Sequence, residues 1–259
     1  TEVQAITYMW QRVAEDYYPW QLDVTTETPL TFTSTTLTMT ITASVAADGT
    51  AMPSSTSGGI AYLDIMGMSD ITFYSPGFAY YDNLGMREDF IAEAASHETG
   101  HMFSLSHDGV LGGSPYYGGA GSGATSWGPI MGAAYGRAVT KFNNGDYNGA
   151  NNQEDDLGLI TARVPLRFDS VGNTIRDAVT IPIVSNSVTG VIESYVDVDV
   201  YKMVLTQPNT VTISAHPFIS AVDTNGNNLA SGFGCLTGTE QFSRLQNCLI
   251  LAWPLSMQT

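Results

Sequence analysis

Three of the chain's four histidines lie within the eleven residues of the segment HETGHMFSLSH, residues 97–107. On a helix, His97 and His101 would project from one face, one turn apart, and could bind the same metal ion. His107 can reach that ion only if the chain turns sharply soon after His101. Three imidazole ligands leave the fourth tetrahedral position of a zinc ion open for water, as in catalytic sites. The segment therefore predicts a catalytic zinc site.

Glu98 follows the first histidine, so it lies on the adjoining helix face and reaches the zinc-bound water without binding the metal. Its expected role is to take the proton of that water as the water attacks a peptide carbonyl, and to pass it to the leaving amine. A bare HExxH match is a modest signal, and a lone helical histidine is usually structural. A third histidine at this offset favours zinc; His216, the fourth, is interpreted as structural.

A helix over about residues 87–103 must position these side chains. Glu88 and Asp89 would lie in its first turn, where they complement the helix dipole. Two further helices are predicted, one over residues 2–18 that ends before Pro19, and one that begins near Asn152. Strands are predicted over residues 22–26, 30–45, 60–66 and 73–81. Because Pro76-Gly77 interrupts the last of these, we expect it at a sheet edge.

The character of the chain changes near residue 165, where we place a domain boundary. Beyond it, short β-rich runs alternate with turn residues, which is typical of a small β-sandwich. These runs are residues 179–184, 188–192, 198–205 and 210–215. Cys235 and Cys248 either form a disulfide in an oxidising compartment or remain two free thiols.

The zinc segment resembles the metzincin pattern HExxHxxGxxH, which is followed downstream by a methionine turn. The sequence PIMG at residues 129–132 is similar to that turn, and the resemblance implies that Met131 forms an apolar floor under the imidazoles. Asp108, together with the stretches SHETGHMFSLSHDG and WGPIMGAAYGR, resembles the reprolysin or adamalysin branch. The similarity is to secreted microbial and algal peptidases, with gametolysin a more distant relative.

The metzincin resemblance covers about residues 1–162 and implies a catalytic domain over residues 1–165. That domain would be α/β, with a twisted mixed sheet, a zinc helix and a methionine turn. Ser104 departs from the pattern, which has glycine there to swing the third ligand toward the metal. A left-handed backbone would cost serine about 1 kcal/mol or somewhat more. Ala133 stands where some metzincins have tyrosine, and Tyr135 is not assigned a catalytic role.

Several features near the zinc segment have two interpretations. Asp108 either forms a turn before Gly109 or supports the site from behind the ligands. The acidic cluster at residues 151–156 either binds calcium or caps a helix. An aromatic loop either lines the substrate cleft or packs on the surface, and it contains Tyr116, Tyr117 and Trp127.

Residues 166–259 are expected to form the all-β sandwich domain. The segments GNTIRDAVTI, VTGVIESYVDVDVYKMVL and NTVTISA resemble the bacterial pre-peptidase C-terminal domain, as far as about His216. Such domains accompany secreted peptidases. The resemblance implies attachment, support of secretion or binding to a substrate surface rather than catalysis.

The formal charge of −16, from 25 acidic and 9 basic residues, argues against a nucleic-acid partner. No apolar run is long enough to span a membrane, and the chain starts as a processed secreted protein would. The leading hypothesis is a secreted, extracellular zinc endopeptidase acting on proteins or peptides, with association to a cell surface or extracellular matrix. One alternative is a non-catalytic or latent structural component of an extracellular assembly, favoured by Ser104. Another is zinc-dependent hydrolysis of a non-peptide amide.

Overall fold

A computed structural model describes residues 1–123, 126–182, 188, 190–204, 210–214, 237–241 and 249–254. These residues form a mixed α/β structure with small sheets. The helices are α1 Glu2–Asp16, α2 Ile71–Tyr74, α3 Glu88–Met102 and α4 Asp156–Thr161. The strands are β1 Met39–Thr42, β2 Gly59–Ile60, β3 Gly77–Tyr80, β4 Trp127–Pro129, β5 Val139–Lys141, β6 Val179–Ile181, β7 Val198–Met203, β8 Thr210–Ser214, β9 Thr237–Gln241 and β10 Leu249–Pro254. His216, Cys235 and Cys248 lie outside the described residues.

Helix α1 confirms the predicted N-terminal helix. It begins with a capping box, in which the Thr1 side chain accepts a hydrogen bond from the Gln4 N–H and the Gln4 side chain bonds back to Thr1. After the helix ends, the buried Tyr17 hydroxyl donates to the Ser96 carbonyl at 2.8 Å. This bond ties the end of α1 to the middle of α3.

The sheet beside α3 is mixed, with the strand order β1-β3-β2. β1 pairs parallel to β3, and β2 pairs antiparallel to it. The expectation that residues 73–81 form an edge strand is therefore wrong. Pro76 only precedes β3, so no proline interrupts the ladder, and residues 71–74 form α2 instead. Gly77 admits the close approach of α3, because a Cβ there would lie 2.5 Å from Met102 Cε.

Two further predicted strands are shorter than expected or missing. Residues 22–26 form no strand. Of the predicted strand at residues 60–66, only Ile60 joins the sheet, together with Gly59. The physical reason lies in the end of α3, whose last carbonyls need donors. The N–H of Asp64 donates to His101 at 2.9 Å, and those of Ile65 and Met66 donate to Met102 at 3.1 Å. The segment therefore caps a helix instead of pairing in a sheet.

The main core lies beneath the C-terminal end of α3. Its aromatic centre is Tyr17, whose ring centroid lies 6.2 Å from Trp20, 5.9 Å from Phe103 and 5.4 Å from Phe142. Trp20 also donates from its indole N–H to the Thr161 hydroxyl at 3.0 Å. This core links α1, α3 and α4, so it fixes the end of α3 from which the metal site is built.

Beyond residue 165, the regular elements that the structure describes are all strands. β10, β7 and β6 form one sheet in that order, and β8 and β9 form another. The predicted strands at 179–184, 198–205 and 210–215 are present in shortened form, whereas the described residues of 188–192 form none. The sandwich itself stays a prediction.

The proposed boundary region is bound to the end of α1. Gln21 N–H donates to the Pro165 carbonyl at 2.9 Å, and Arg167 N–H donates to the Pro19 carbonyl at 2.8 Å.

Among the residues that the structure describes, none of the helices has both the length and the apolar character needed to cross a membrane.

Candidate metal centre

Helix α3 presents His97 and His101 on one face, with their ring centroids 4.8 Å apart. The helix matches the predicted one closely, beginning at Glu88 and ending at Met102. His97 is buried and His101 is half-buried. The spacing of four residues thus brings two imidazoles together at the C-terminal end of the helix.

A left-handed turn at Ser104 brings the third histidine to the other two. Ser104 has φ of +83°, and its N–H donates to the His101 carbonyl at 2.9 Å. The Leu105 N–H donates to the Gly100 carbonyl at 3.1 Å, which completes a Schellman motif. The nitrogen ligand atoms of His97, His101 and His107 then lie within 4.8 Å of one another. The expected sharp turn is present, with serine in the position that favours glycine.

Replacing Ser104 with glycine should stabilise the protein. Because serine has a Cβ that disfavours left-handed backbone, Ser104→Gly is expected to raise the free energy of unfolding by about 1 kcal/mol. Urea denaturation of the parent and the variant in the same buffer measures this change. Ser106→Gly is the matched control: Ser106 is exposed and has no positive φ. That control should be neutral or destabilising, and a Ser104→Gly variant that is no more stable than the parent contradicts the interpretation.

Backbone carbonyls orient two of the imidazoles. His97 Nδ1 lies 2.8 Å from the Ile130 carbonyl oxygen, and His101 Nδ1 lies 2.7 Å from that of Leu105. Since a carbonyl only accepts, each Nδ1 carries the proton and each Nε2 presents its lone pair. His101 Nε2 and His107 Nε2 are 2.9 Å apart. Two imidazoles on a tetrahedral zinc ion would stand about 3.3 Å apart, given bonds of about 2.0–2.1 Å.

Burial keeps these imidazoles neutral. Desolvation, followed by the charge of His101, lowers the pKa of His97 to about 3. Burial also lowers the pKa of His101 and that of His107. A neutral imidazole can ligate a metal, whereas an imidazolium cannot. Three neutral nitrogen donors suit zinc better than calcium or magnesium, which favour oxygen.

Met131 lies under this site, buried against α3. A Cβ at Gly100 would lie 2.5 Å from Met131 Sδ, so the helix has a glycine where the sulfur approaches. The Met131 carbonyl accepts from the Asp108 N–H at 2.8 Å, directly after His107. Residues 130 and 131 thus support both the first and the third histidine.

Glu98 is buried between α3 and the sheet. A Cβ at Gly59 would lie 2.8 Å from both Glu98 Oε1 and Cγ, so the carboxylate packs directly against β2. Burial raises the pKa of Glu98 to about 8. Burial also raises the pKa of Tyr135 to about 12, with the charges of Glu93 and Glu98 adding to the effect. Tyr135 therefore lies in the neighbourhood of Glu98, although its position in the sequence did not show this.

Gly59→Ala tests how tightly β2 holds Glu98. The new methyl group would overlap the Phe78 carbonyl oxygen of β3 and the Glu98 carboxylate, so the activity proposed below should fall at least about tenfold, as misplacement by about 1 Å can do. Metal binding at the histidines should be unchanged, because no histidine is touched. Gly113→Ala is the control, since its Cβ would meet nothing closer than 3.4 Å. Both variants are compared in the activity proposed below, and equal activity would show that Gly59 does not position Glu98.

Asp108 supports the site through a buried polar network. Its carboxylate accepts from the Asn143 side-chain amide, and the Asn143 N–H donates to Asp156 Oδ2 at 3.0 Å. The backbone carbonyl of Asp108 accepts a hydrogen bond from the Tyr117 N–H at 2.6 Å. Burial raises the pKa of Asp108 to about 6 and that of Asp156 to about 8. Asn143 belongs to the network, and no sequence pattern indicated it.

The raised pKa of Asp156 predicts a dependence of stability on pH. Its ordinary value is 3.8 and its value in the fold is about 8, so the folded state binds the proton more tightly. The associated stability is complete below about pH 4 and is lost as the pH rises through 8. In calcium-free buffer, Asp156→Asn should match the parent near pH 4 and become progressively more stable than the parent as the pH rises to 8. Urea unfolding across this range, with the exposed Asp23→Asn as control, measures it; a constant difference would contradict the assignment.

The aromatic loop divides between its two interpretations. Tyr116 lies at the histidines, with its ring centroid 4.5 Å from that of His107 and 6.2 Å from that of His97. Tyr117 instead stacks on Tyr147 at 4.1 Å, and Trp127 packs edge-on against Tyr117 at 6.1 Å. Tyr116 is therefore the member that can contact a substrate.

The acidic cluster at residues 151–156 caps α4, as one of its two interpretations holds. Asp155 is the N-cap residue, and its carboxylate accepts from the Gly158 N–H at 3.0 Å. Glu154 accepts from the Asn152 side chain at 3.0 Å. Calcium binding at this cluster stays a prediction.

No protein-family model, no curated protein and no solved structure matches the chain. The metzincin and pre-peptidase resemblances therefore remain predictions from the sequence. The geometry of the histidines and of Glu98 is what points to a function.

Proposed function

We propose that the protein is a secreted zinc endopeptidase. The observation that carries the proposal is the convergence of His97, His101 and His107, with the buried Glu98 beside them. The ligand atoms of the histidines lie within 4.8 Å, and two of the rings are held by backbone carbonyls. This arrangement suits one zinc ion with an open coordination position.

Each residue has a distinct part in the proposed hydrolysis. A zinc ion held by the three histidines would supply Lewis-acid activation of the water and the carbonyl. Glu98 would accept the proton of the attacking water and return it to the departing amine. Tyr116, about 42% exposed beside His107, would contact the bound substrate.

The choice of peptide bonds over other amides rests on the metzincin resemblance of residues 1–162. Extracellular proteins as substrates and association with a cell surface or matrix rest on the two resemblances together. Ser104 is the residue that favours a non-catalytic component. In the structure it forms the required turn with both of its hydrogen bonds, so it gives that alternative no further support.

A substrate panel tests the proposed reaction class. Zinc-loaded protein is incubated separately with an unfolded protein, with a mixed peptide library and with N-acylated amino sugars and amino acids. We expect internal cleavage of the protein and the peptides and no turnover of the small amides. Exclusive hydrolysis of the small amides would instead make the protein a zinc amidase.

A further inference from the structure

A second cluster of possible metal ligands lies far from the histidines in the sequence. Carboxylate oxygens of Asp169, Asp197 and Asp199 lie within 4.8 Å of one another. Asp197 and Asp199 are each 5% exposed, and Asp169 is half-buried. The three come from two segments, one just beyond residue 165 and one at the start of β7.

The cluster contains buried carboxylate oxygens without partners. Asp197 Oδ1, Asp199 Oδ1 and Glu193 Oε2 are inaccessible to solvent and accept no hydrogen bond from any residue that the structure describes. Glu193 is 6% exposed and contacts the Asp197 carboxyl group. An unpaired buried carboxylate is costly, and such groups are normally paired or bound to a metal.

Protein donors hold one oxygen of each aspartate in the cluster. Asp197 Oδ2 accepts from the Glu193 N–H at 2.9 Å, and Asp169 Oδ1 accepts from the Val171 N–H at 2.8 Å. Asp199 Oδ2 lies 3.4 Å from the Tyr201 hydroxyl. These bonds orient the groups and leave one oxygen of Asp197 and one of Asp199 free.

The described surroundings offer room for carboxylates. A Cβ at Gly190 would collide with the Asp199 carboxylate and the Tyr201 hydroxyl, so glycine keeps this space open. In the described part of the chain, the salt bridges formed by lysine and arginine involve none of these acids.

We propose that Asp169, Asp197 and Asp199, with Glu193 beside them, bind a calcium ion. An all-oxygen, highly anionic donor set of this kind matches calcium, whereas zinc prefers nitrogen and sulfur. The ion would hold residues 169–173 against the start of β7, where the Val198 N–H already donates to Asn173 Oδ1 at 2.8 Å. The site is separate from the histidines and implies a stabilising role.

Calorimetric titration of calcium into the full chain tests this site. The protein is freed of calcium with a calcium-selective chelator and kept loaded with zinc. We expect one site with a dissociation constant of about 10⁻⁴–10⁻³ M or tighter, as in extracellular calcium modules. Asp197→Asn and Asp199→Asn should each weaken binding at least tenfold, and calcium should raise the Tm of the parent but not of these variants.

Three further variants make the result decisive. Asp23→Asn removes an exposed charge elsewhere and should bind calcium like the parent. Asp155→Asn tests the α4 cap, and loss of calcium binding there alone would place the ion at residues 151–156 and overturn the proposal. If the Asp197 and Asp199 variants fail to fold, Asp169→Asn serves, since Asp169 is only half-buried. No calcium binding by the parent at millimolar calcium, or parent-like affinity in the aspartate variants, would show that protons satisfy the cluster instead.

Discussion

Glu98→Gln is expected to lower kcat by about 10²–10⁴-fold, the usual contribution of a general acid–base group. Glutamine has nearly the same shape, so it fits the space beside Gly59 where Glu98 packs. It cannot accept the proton of the attacking water. The three histidines are unchanged, so the zinc content should equal that of the parent. Peptide cleavage and zinc content are measured on the same preparation.

Glu93→Gln is the matched control for this variant. Glu93 is also a buried glutamate of α3, but its carboxylate lies 3.6 Å from Arg12, whereas the Glu98 carboxylate packs against Gly59. It should retain peptidase activity, provided that it folds. If Glu98→Gln cleaves as fast as the parent, Glu98 is not the proton acceptor. If it loses zinc, its role is to hold the metal.

His101→Ala is expected to lower zinc affinity by about 10³-fold. One ligand accounts for on the order of 4 kcal/mol when about 10–16 kcal/mol of zinc-binding free energy is shared among the ligands. The His101 ring contacts both other rings, with its centroid 4.8 Å from that of His97 and 4.7 Å from that of His107. Competition with a chromophoric chelator measures the affinity, and zinc should no longer raise the Tm at concentrations that saturate the parent.

His216→Ala is the control, because it removes the only other histidine in the chain. We expect its zinc affinity to match that of the parent. Loss of zinc in His216→Ala together with retention in His101→Ala would place the metal elsewhere. Equal affinity in both variants and the parent would mean that no histidine contributes.

The histidine cluster was predictable because it depends on local geometry. His97 and His101 are one helical turn apart, and a sharp turn soon after His101 is the way to bring His107 to the same ion, even with serine at position 104. The strong periodicity of α1 and α3 likewise predicted both helices to within about two residues. Local patterns of this kind require no knowledge of distant parts of the chain.

Long-range pairing explains the errors. Whether residues 77–80 lie at an edge depends on which strands arrive on each side, and β1 and β2 cover both. Residues 64–66 have strand-like composition, but their N–H groups cap α3. Glycine at position 59 indicates only a turn in the sequence. The folded chain shows that the Glu98 carboxylate packs against it. Asp169 and Asp197 are distant in sequence, so their cluster appears only in the folded chain.

Zinc content and peptide cleavage, measured on one preparation before and after chelation, test the central claim most directly. We predict one zinc per chain with cleavage of unfolded protein. Both should be lost when a strong chelator removes the metal, and both should return when one equivalent of zinc is restored. Full zinc occupancy without cleavage of any protein or peptide, or cleavage that survives complete removal of zinc, would contradict the proposed function.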